Sequence, residues 1–243
     1  MLKSYDKLWV FGDSFTTPNE YVSISESFWA LTATKLGIPQ VLNYSRPINS
    51  FDTVCQMLVS EQAKFDWKKD LFIIGVPPLE RITVFDNFKD TEFLAWNIDA
   101  NNWTFDRFDV PSHRGLACLQ SFGNDEKLIV HSDPSWTETQ GLRDIFFLTK
   151  WLDGCNANYI VLNLTGRSFD KNNIWGPSEF VLPYTKNHPK CILFDDTYHS
   201  VNLEVNRPVD YDRYGWGGHH GAEGNRHFFE KSLWPKLIES NLV

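Results

Sequence analysis

Apolar residues recur along the chain in short continuous runs that alternate with stretches of helical spacing. Residues 7–11, 41–44 and 70–76 are apolar runs of strand length, and the third has the continuous apolar character of a strand buried on both faces. Between these runs, residues 25–36 and 51–65 carry apolar positions three and four apart, as amphipathic helices do. The first third of the chain therefore predicts a β-α-β-α-β unit.

The same alternation returns in the second half of the chain. Residues 135–138, Ser-Trp-Thr-Glu, have capping-box spacing ahead of a predicted helix that ends at Gly154. Residues 159–164 and 190–194 predict two more strands, and residues 223–238 predict a closing helix. Strands that alternate with helices are typical of a mostly parallel sheet with helices on both faces, so we predict an α/β fold with a five-stranded sheet.

Residues 83–134 interrupt this alternation. Within them, residues 93–97 and 103–105 flank the polar stretch 99–102, which predicts a β-hairpin with a polar turn. No internal repeat and no linker rich in Gly, Pro or Ser divides the sequence. We therefore predict a single domain over residues 1–243 with an insertion at residues 83–134.

The composition narrows the class of protein. Of the 243 residues, 42% are hydrophobic and 22% are charged, as in a folded water-soluble domain. The net charge is −8 and neither sign forms a long block, which disfavours nucleic acid as a partner. No apolar run is close to the length of about 18 residues that a helix needs to span a bilayer, and the first residues lack the apolar core of a signal peptide. We expect a cytoplasmic protein without membrane contact.

A candidate nucleophile directly follows the first predicted strand, in Gly12-Asp13-Ser14. A serine on such a glycine-flanked turn exposes its hydroxyl and leaves neighbouring backbone N–H groups free. The loops at residues 43–50 and 75–81 follow the next two strands. Because the carboxyl ends of parallel strands meet at one edge of the sheet, these loops and Ser14 are expected to converge there.

A serine nucleophile needs a base, and histidine is the usual one because its pKa lies near neutrality. Among the seven histidines, His199 follows the fifth predicted strand, and His219 and His220 lie in a glycine-rich stretch just before the last predicted helix. Such a turn can reach over the sheet edge toward Ser14. A plain Gly/His turn is an alternative. A metal site formed by the pair with Asp212 is disfavoured, because no His-x-x-x-His motif or carboxylate cluster accompanies it.

Together these motifs resemble those of the SGNH hydrolases, also called GDSL esterases and lipases. The resemblance rests on Gly12-Asp13-Ser14, on the Trp-containing helix after it, and on residues 219–224, which match the spacing of the family's C-terminal histidine block. It implies a flavodoxin-like three-layer α/β/α sandwich in which a serine attacks an ester carbonyl and a histidine is the base. On this pattern Ser14 is the nucleophile and His219 the base, with His220 and His199 as alternates.

Two of the family's oxyanion positions are changed. Asn49 stands where the second block has glycine, and asparagine tolerates left-handed backbone geometry, so its N–H can still face an oxyanion. The third block, Gly-x-Asn-Asp, falls on Gly75-Val76-Pro77-Pro78, which keeps Gly75 and lacks the asparagine donor. The side chain of Asn49 or Arg81 is a candidate substitute, although Arg81 is equally suited to a surface ion pair.

The acid position is changed as well. The family has an aspartate three residues before its histidine, whereas Trp216 stands there in this chain. We expect Asp212 to orient His219, and a Ser-His dyad oriented by a backbone carbonyl is the alternative. Asp196 and His199 do have the family's Asp-x-x-His spacing, but no closing helix follows them directly.

The sequence thus predicts a serine esterase whose substrate is a small-molecule or glycan ester, with an acetyl or other acyl group on a carbohydrate as the candidate. The carbohydrate is suggested by four tryptophans in predicted loops, which are suited to stacking on a sugar ring or covering an acyl chain: Trp96, Trp103, Trp175 and Trp216. No metal and no cofactor is expected. The alternative is a catalytically impaired protein of this fold that binds a glycan or a protein.

Overall fold

Seven of the strands in the described part of the chain form one sheet. The computed structural model describes residues 3–17, 22–46, 49–77, 79, 81–82, 92–99, 102–109, 117–118, 134–164, 178–205, 208–209 and 219–243. The strands in chain order are β1 (Lys7–Phe11), β2 (Gln40–Asn43), β3 (Asp70–Val76), β4 (Arg81–Ile82), β5 (Glu92–Asp99), β6 (Asn102–Asp109), β7 (Ala117–Cys118), β8 (Asn158–Asn163) and β9 (Cys191–Ile192). The sheet has the order β6-β5-β2-β1-β3-β8-β9, and β4 pairs separately with β7.

Five neighbouring strands of this sheet, β2, β1, β3, β8 and β9, run parallel. Counted among themselves in chain order they read 2-1-3-4-5, which is the flavodoxin-like order. In this order the direction of winding reverses between β1 and β3, and a crevice for a ligand opens at the carboxyl ends of these two strands. The predicted α/β fold with a five-stranded parallel sheet is confirmed.

The predicted hairpin is also confirmed, and it extends the main sheet. Strands β5 and β6 pair antiparallel, with Asp99 opposite Asn102 at the turn end, and β5 adds antiparallel to the outer edge of β2. Trp96 and Trp103 lie in these strands, opposite Val41 and Ile98. The expectation that these two tryptophans occupy loops is therefore wrong, because both lie in paired arms of the hairpin.

The described helices are α1 (Phe28–Leu36), α2 (Phe51–Glu61), α3 (Pro134–Gly154), α4 (Ser178–Lys186), α5 (Tyr198–Asn202), α6 (Ala222–Phe228) and α7 (Trp234–Glu239). A π-helical turn joins α6 to α7 in one continuous rod. Helix α1 begins at Phe28 because the Ser27 hydroxyl caps it by accepting from the Ala30 N–H, and it ends at Gly37 in the left-handed conformation. The predicted capping box at residues 135–138 is wrong, because Ser135 already lies inside α3.

Strand β3 shows how the sheet is covered on both faces. All seven of its residues are buried, and successive side chains point to opposite faces. Leu71 and Ile73 belong to the apolar layer that includes residues of α1 and of the C-terminal helices. Phe72 and Ile74 belong to the opposite layer, which includes residues of α2 and α3. The sheet is therefore the middle layer of an α/β/α sandwich.

We expect Ile73→Ala to lower the free energy of unfolding by about 2–5 kcal/mol, because Ile73 is fully buried and its loss leaves a cavity. Urea unfolding measured by circular dichroism provides the value. The matched control is Ile238→Ala, where the isoleucine is 53% exposed and the change should stay within about 0.5 kcal/mol. Equal losses in the two variants would contradict the assignment of β3 to the centre of the core.

Candidate functional site

Ser14 lies in a turn that the preceding aspartate holds in place. The buried Asp13 carboxylate accepts a hydrogen bond from the Phe15 N–H at 3.1 Å, and the Asp13 carbonyl accepts from the N–H groups of Thr16 and Thr17 at 3.0 Å each. Ser14 itself is half-buried. Within the described chain its N–H and its hydroxyl form no hydrogen bond. Both groups are therefore uncommitted, while the backbone around them is fixed.

The loop after β2 clamps this turn through two buried asparagines. The Asn43 Nδ2 donates to the Thr16 carbonyl at 2.8 Å, and its Oδ1 accepts from the Ser45 N–H at 2.8 Å. The Asn49 Nδ2 donates to the Gly12 carbonyl at 2.7 Å. Sequence reasoning missed the role of Asn43, although an amide at the last position of an otherwise apolar strand is a signal that could have revealed it.

Asn49 differs from the predicted oxyanion geometry. Its backbone N–H donates to the Arg46 carbonyl at 3.3 Å, and its φ does not lie in the left-handed region. The backbone N–H and the side-chain amide of Asn49 thus each donate to a backbone carbonyl, and the amide bond to Gly12 helps to hold the Ser14 turn. The structure places the Asn49 side chain against the Gly12 carbonyl, where it anchors the turn.

The other two residues suggested for the oxyanion or substrate lie near the end of β3. Gly75 pairs with Leu162 of β8, and a Cβ on it would lie 2.3 Å from the Leu164 Cδ1, so its lack of a side chain serves packing. Pro77 follows β3 and is buried, and as a proline it has no N–H to donate. Arg81 begins β4, opposite Cys118, and its side chain lies outside the described part.

The structure brings His219 to the Ser14 turn. The His219 ring packs on the Phe15 ring with centroids 5.2 Å apart, and the His219 carbonyl accepts from the Val209 N–H at 2.8 Å. His219 is half-buried. Asp212 and Trp216 lie outside the described residues, so the acid remains a prediction.

The two alternate histidines are paired with each other. The His220 Nε2 lies 2.9 Å from the His199 Nδ1, and the residues are 2% and 5% exposed. Burial lowers the pKa of His199. Asp196, which has the Asp-x-x-His spacing to His199, is exposed and forms no hydrogen bond to it in the described chain. Among the histidines of the described residues, His219 is the one whose ring packs on Phe15, the residue after Ser14.

A small cavity of about 10 Å³ lies next to His219 and is bordered mainly by aromatic and small polar side chains. Its walls are formed by Phe15, Thr17, Val22, Ile24, Ser27, Trp29, Tyr198, His219 and Asn225. In the described ranges no three His, Cys, Asp or Glu side chains are grouped so that they could hold a metal ion. None of the described helices combines the length and the apolar character needed to cross a membrane.

Comparison with known proteins gives a likeness of fold. No family model matches the sequence, and no curated protein matches it. Among solved structures, the chain is similar to the crystal structure of a member of the lipolytic protein G-D-S-L family from Veillonella parvula, with a TM-score of 0.48 and 12% identity over 94% of this chain and 96% of that chain. A likeness at this score and identity does not assign an activity, which has to be argued from the residues of the site.

We expect Asn43→Ala to lower the free energy of unfolding by about 1–3 kcal/mol, because it leaves the Thr16 carbonyl and the Ser45 N–H buried without partners. Thermal unfolding followed by circular dichroism measures the loss. Asn187→Ala is the matched control, since the Asn187 amide bonds the Pro183 carbonyl at an exposed position. A loss no greater than that of the control would show that the clamp does not hold the Ser14 turn.

Proposed function

We propose that this protein is a serine hydrolase of the SGNH type that cleaves a carboxylic ester through an acyl-enzyme. One juxtaposition carries the proposal: Ser14, whose hydroxyl and N–H form no hydrogen bond within the described residues, lies on a turn whose next residue, Phe15, packs against the His219 ring. A serine with a histidine at the carboxyl end of a parallel strand is the arrangement that nucleophilic acyl transfer uses. Ser14 follows β1, whose carboxyl end borders the crevice that this strand order leaves between β1 and β3.

The proposed reaction has two acyl transfers. The Ser14 Oγ attacks the ester carbonyl carbon while His219 takes the hydroxyl proton, and the Ser14 N–H donates to the oxyanion that forms. Collapse of this intermediate breaks the bond to the alcohol, which leaves with the proton from His219. Water, deprotonated by His219, then attacks the acyl-serine, and collapse of the second intermediate releases the acid and restores Ser14. We propose Asp212 as the group that orients His219.

The oxyanion site we propose has fewer donors than the family's. Pro77 has no N–H, and the Asn49 donors are engaged with Arg46 and Gly12. The loss of one donor costs about a hundredfold or more in rate. We therefore propose the Arg81 side chain as the second donor and expect a modest turnover number.

We propose an acetyl or other acyl ester, with a carbohydrate as the alcohol, for the substrate. The support is the sequence, in which Trp175 and Trp216 lie in predicted loops, since flat rings suit a sugar or an acyl group. A second candidate function, binding without turnover, is favoured by one observation: the Asn49 N–H is bonded within its own loop.

Acetate release distinguishes these two functions. The wild-type protein is incubated with p-nitrophenyl acetate and with an acetylated oligosaccharide, and free acetate is quantified by proton NMR. The hydrolase predicts acetate in proportion to enzyme and time, above the buffer rate. Binding of the acetylated oligosaccharide in calorimetry without acetate from either substrate would favour the binding function instead.

A further inference from the structure

The buried histidine pair joins two segments that are separate in the sequence. His199 is in α5, and His220 is in the turn that leads into α6, directly after His219. The 2.9 Å contact between the His199 Nδ1 and the His220 Nε2 is a hydrogen bond in which one nitrogen donates and the other accepts. This hydrogen bond therefore links α5 to the His219 turn in a defined orientation.

Neighbouring contacts make the rest of this turn rigid. The Asn225 Nδ2 donates to the carbonyls of His220 and Gly221 at 3.2 and 3.0 Å, while its Oδ1 accepts from the Phe28 N–H at 3.2 Å. The Tyr198 ring meets the His220 ring edge-on, with centroids 5.7 Å apart. The side chain of His220 is thus held on one side by α5, and its backbone on the other by α6.

The pair is poorly explained by stability. The His199 Nε2 is buried and has no hydrogen-bond partner in the part of the chain that the structure describes. The nearby Asn202 amide, 0% exposed, also has none there. An unpartnered buried polar group costs stability, whereas two apolar rings of similar shape could fill this space without that cost. What the polar pair adds over an apolar one is a fixed orientation of the rings.

We propose that His199 is a positioning residue for catalysis: through its hydrogen bond to His220 it fixes the backbone at which His219 projects toward the Ser14 turn. This inference rests on the proposed function, in which His219 is the base. Displacement of a catalytic group by about 1 Å can lower the rate about a hundredfold. The buried His199–His220 hydrogen bond can therefore affect turnover although neither ring contacts the substrate. His199 is not itself the base.

The test replaces the ring while retaining or removing one hydrogen-bonding atom. His199→Phe keeps the ring volume and removes the bond to His220. His199→Asn places an amide atom near the position of Nδ1, whereas His199→Gln places it near that of Nε2, which faces away from His220. We expect kcat for p-nitrophenyl acetate to fall about 10–100-fold in the Phe and Gln variants with KM within about twofold, and to recover to within about threefold in the Asn variant.

The matched control is His227→Phe, on α6, where the histidine is half-exposed and contacts Glu204; its kcat should equal that of the wild type. Equal kcat in the Phe, Gln and Asn variants, all folded, would overturn the inference. If His199→Phe does not fold, the contrast between the Asn and Gln variants decides the question. A purely structural role would lower the melting temperature without this ordering of kcat.

A readout independent of turnover separates this inference from the proposed function. In protein labelled with ¹⁵N-histidine, the His219 ring resonances are expected to shift in His199→Gln and to return toward the wild-type positions in His199→Asn. A wild type without esterase activity would overturn the proposed function, and the inference would then be judged by these resonances as an effect on the geometry of His219. Unchanged His219 resonances in every variant would overturn the inference while leaving the esterase intact.

Discussion

Replacement of Ser14 by alanine is expected to lower kcat/KM for p-nitrophenyl acetate by at least about 10³-fold, because the proposed acyl-enzyme forms on the Ser14 hydroxyl. The loss should appear in kcat, since the acyl-transfer step is removed while the substrate still contacts the walls of the site. Folding should be preserved, because the turn is held by Asp13, Asn43 and Asn49 and by no hydrogen bond from the Ser14 side chain. Initial rates with matched circular dichroism spectra measure both effects.

The control for this variant is Ser45→Ala. Ser45 lies in the neighbouring loop, and its buried hydroxyl has no hydrogen-bond partner in the described chain. Its removal should change kcat/KM by no more than about twofold. If Ser14→Ala hydrolyses the ester at the wild-type rate, the nucleophile is a different group and the proposed mechanism is wrong.

Replacement of His219 by alanine is the second large effect, a fall of about 10³-fold or more in kcat, because the Ser14 hydroxyl then has no base to take its proton. The half-buried position of His219 leaves a gap next to Phe15 that exogenous imidazole can enter. We therefore expect added imidazole to restore part of the rate in a concentration-dependent way. Steady-state rates with 0 to about 0.2 M imidazole measure the rescue.

His227→Ala is the control for this variant, since His227 lies on α6 and contacts Glu204. It should retain wild-type kcat and show no response to imidazole. Wild-type activity in His219→Ala, with loss of activity in both His199→Phe and His199→Asn, would assign the base to His199. That result would contradict both the proposed mechanism and the positioning role of His199.

Local periodicity was sufficient to predict the layers of the fold. Strand β3 has the predicted bounds, and α1 ends at residue 36 as predicted, because continuous apolar runs and helical spacing are properties of a few neighbouring residues. The prediction of a capping box at residues 135–138 was wrong because it also rested on a few neighbouring residues. Four residues of these types can equally lie inside the long helix α3. The residues of the hairpin do not by themselves predict that it pairs with β2, because many different segments could cover the edge of a sheet.

The candidate site also has residues that the sequence could predict and contacts that it could not. Ser14 could be chosen from its position after the first predicted strand, and His219 from the resemblance of residues 219–224 to the family's histidine block. The structure brings the two turns together through Phe15. The bond between His199 and His220 could not be predicted, because it depends on how α5 packs against the turn before α6. The engagement of the Asn49 N–H with Arg46 was equally hidden, since one backbone angle decides between a turn bond and an oxyanion donor.

Covalent capture of Ser14 tests the central claim most directly. A fluorophosphonate ester reacts with an activated serine by forming an O–P bond and releasing fluoride, and mass spectrometry of the digested protein locates the adduct. We predict one adduct per chain, on the peptide that contains Ser14, at a rate that falls in His219→Ala. A wild-type protein that forms no adduct, or an adduct that persists unchanged in Ser14→Ala, would contradict the claim that Ser14 is the nucleophile.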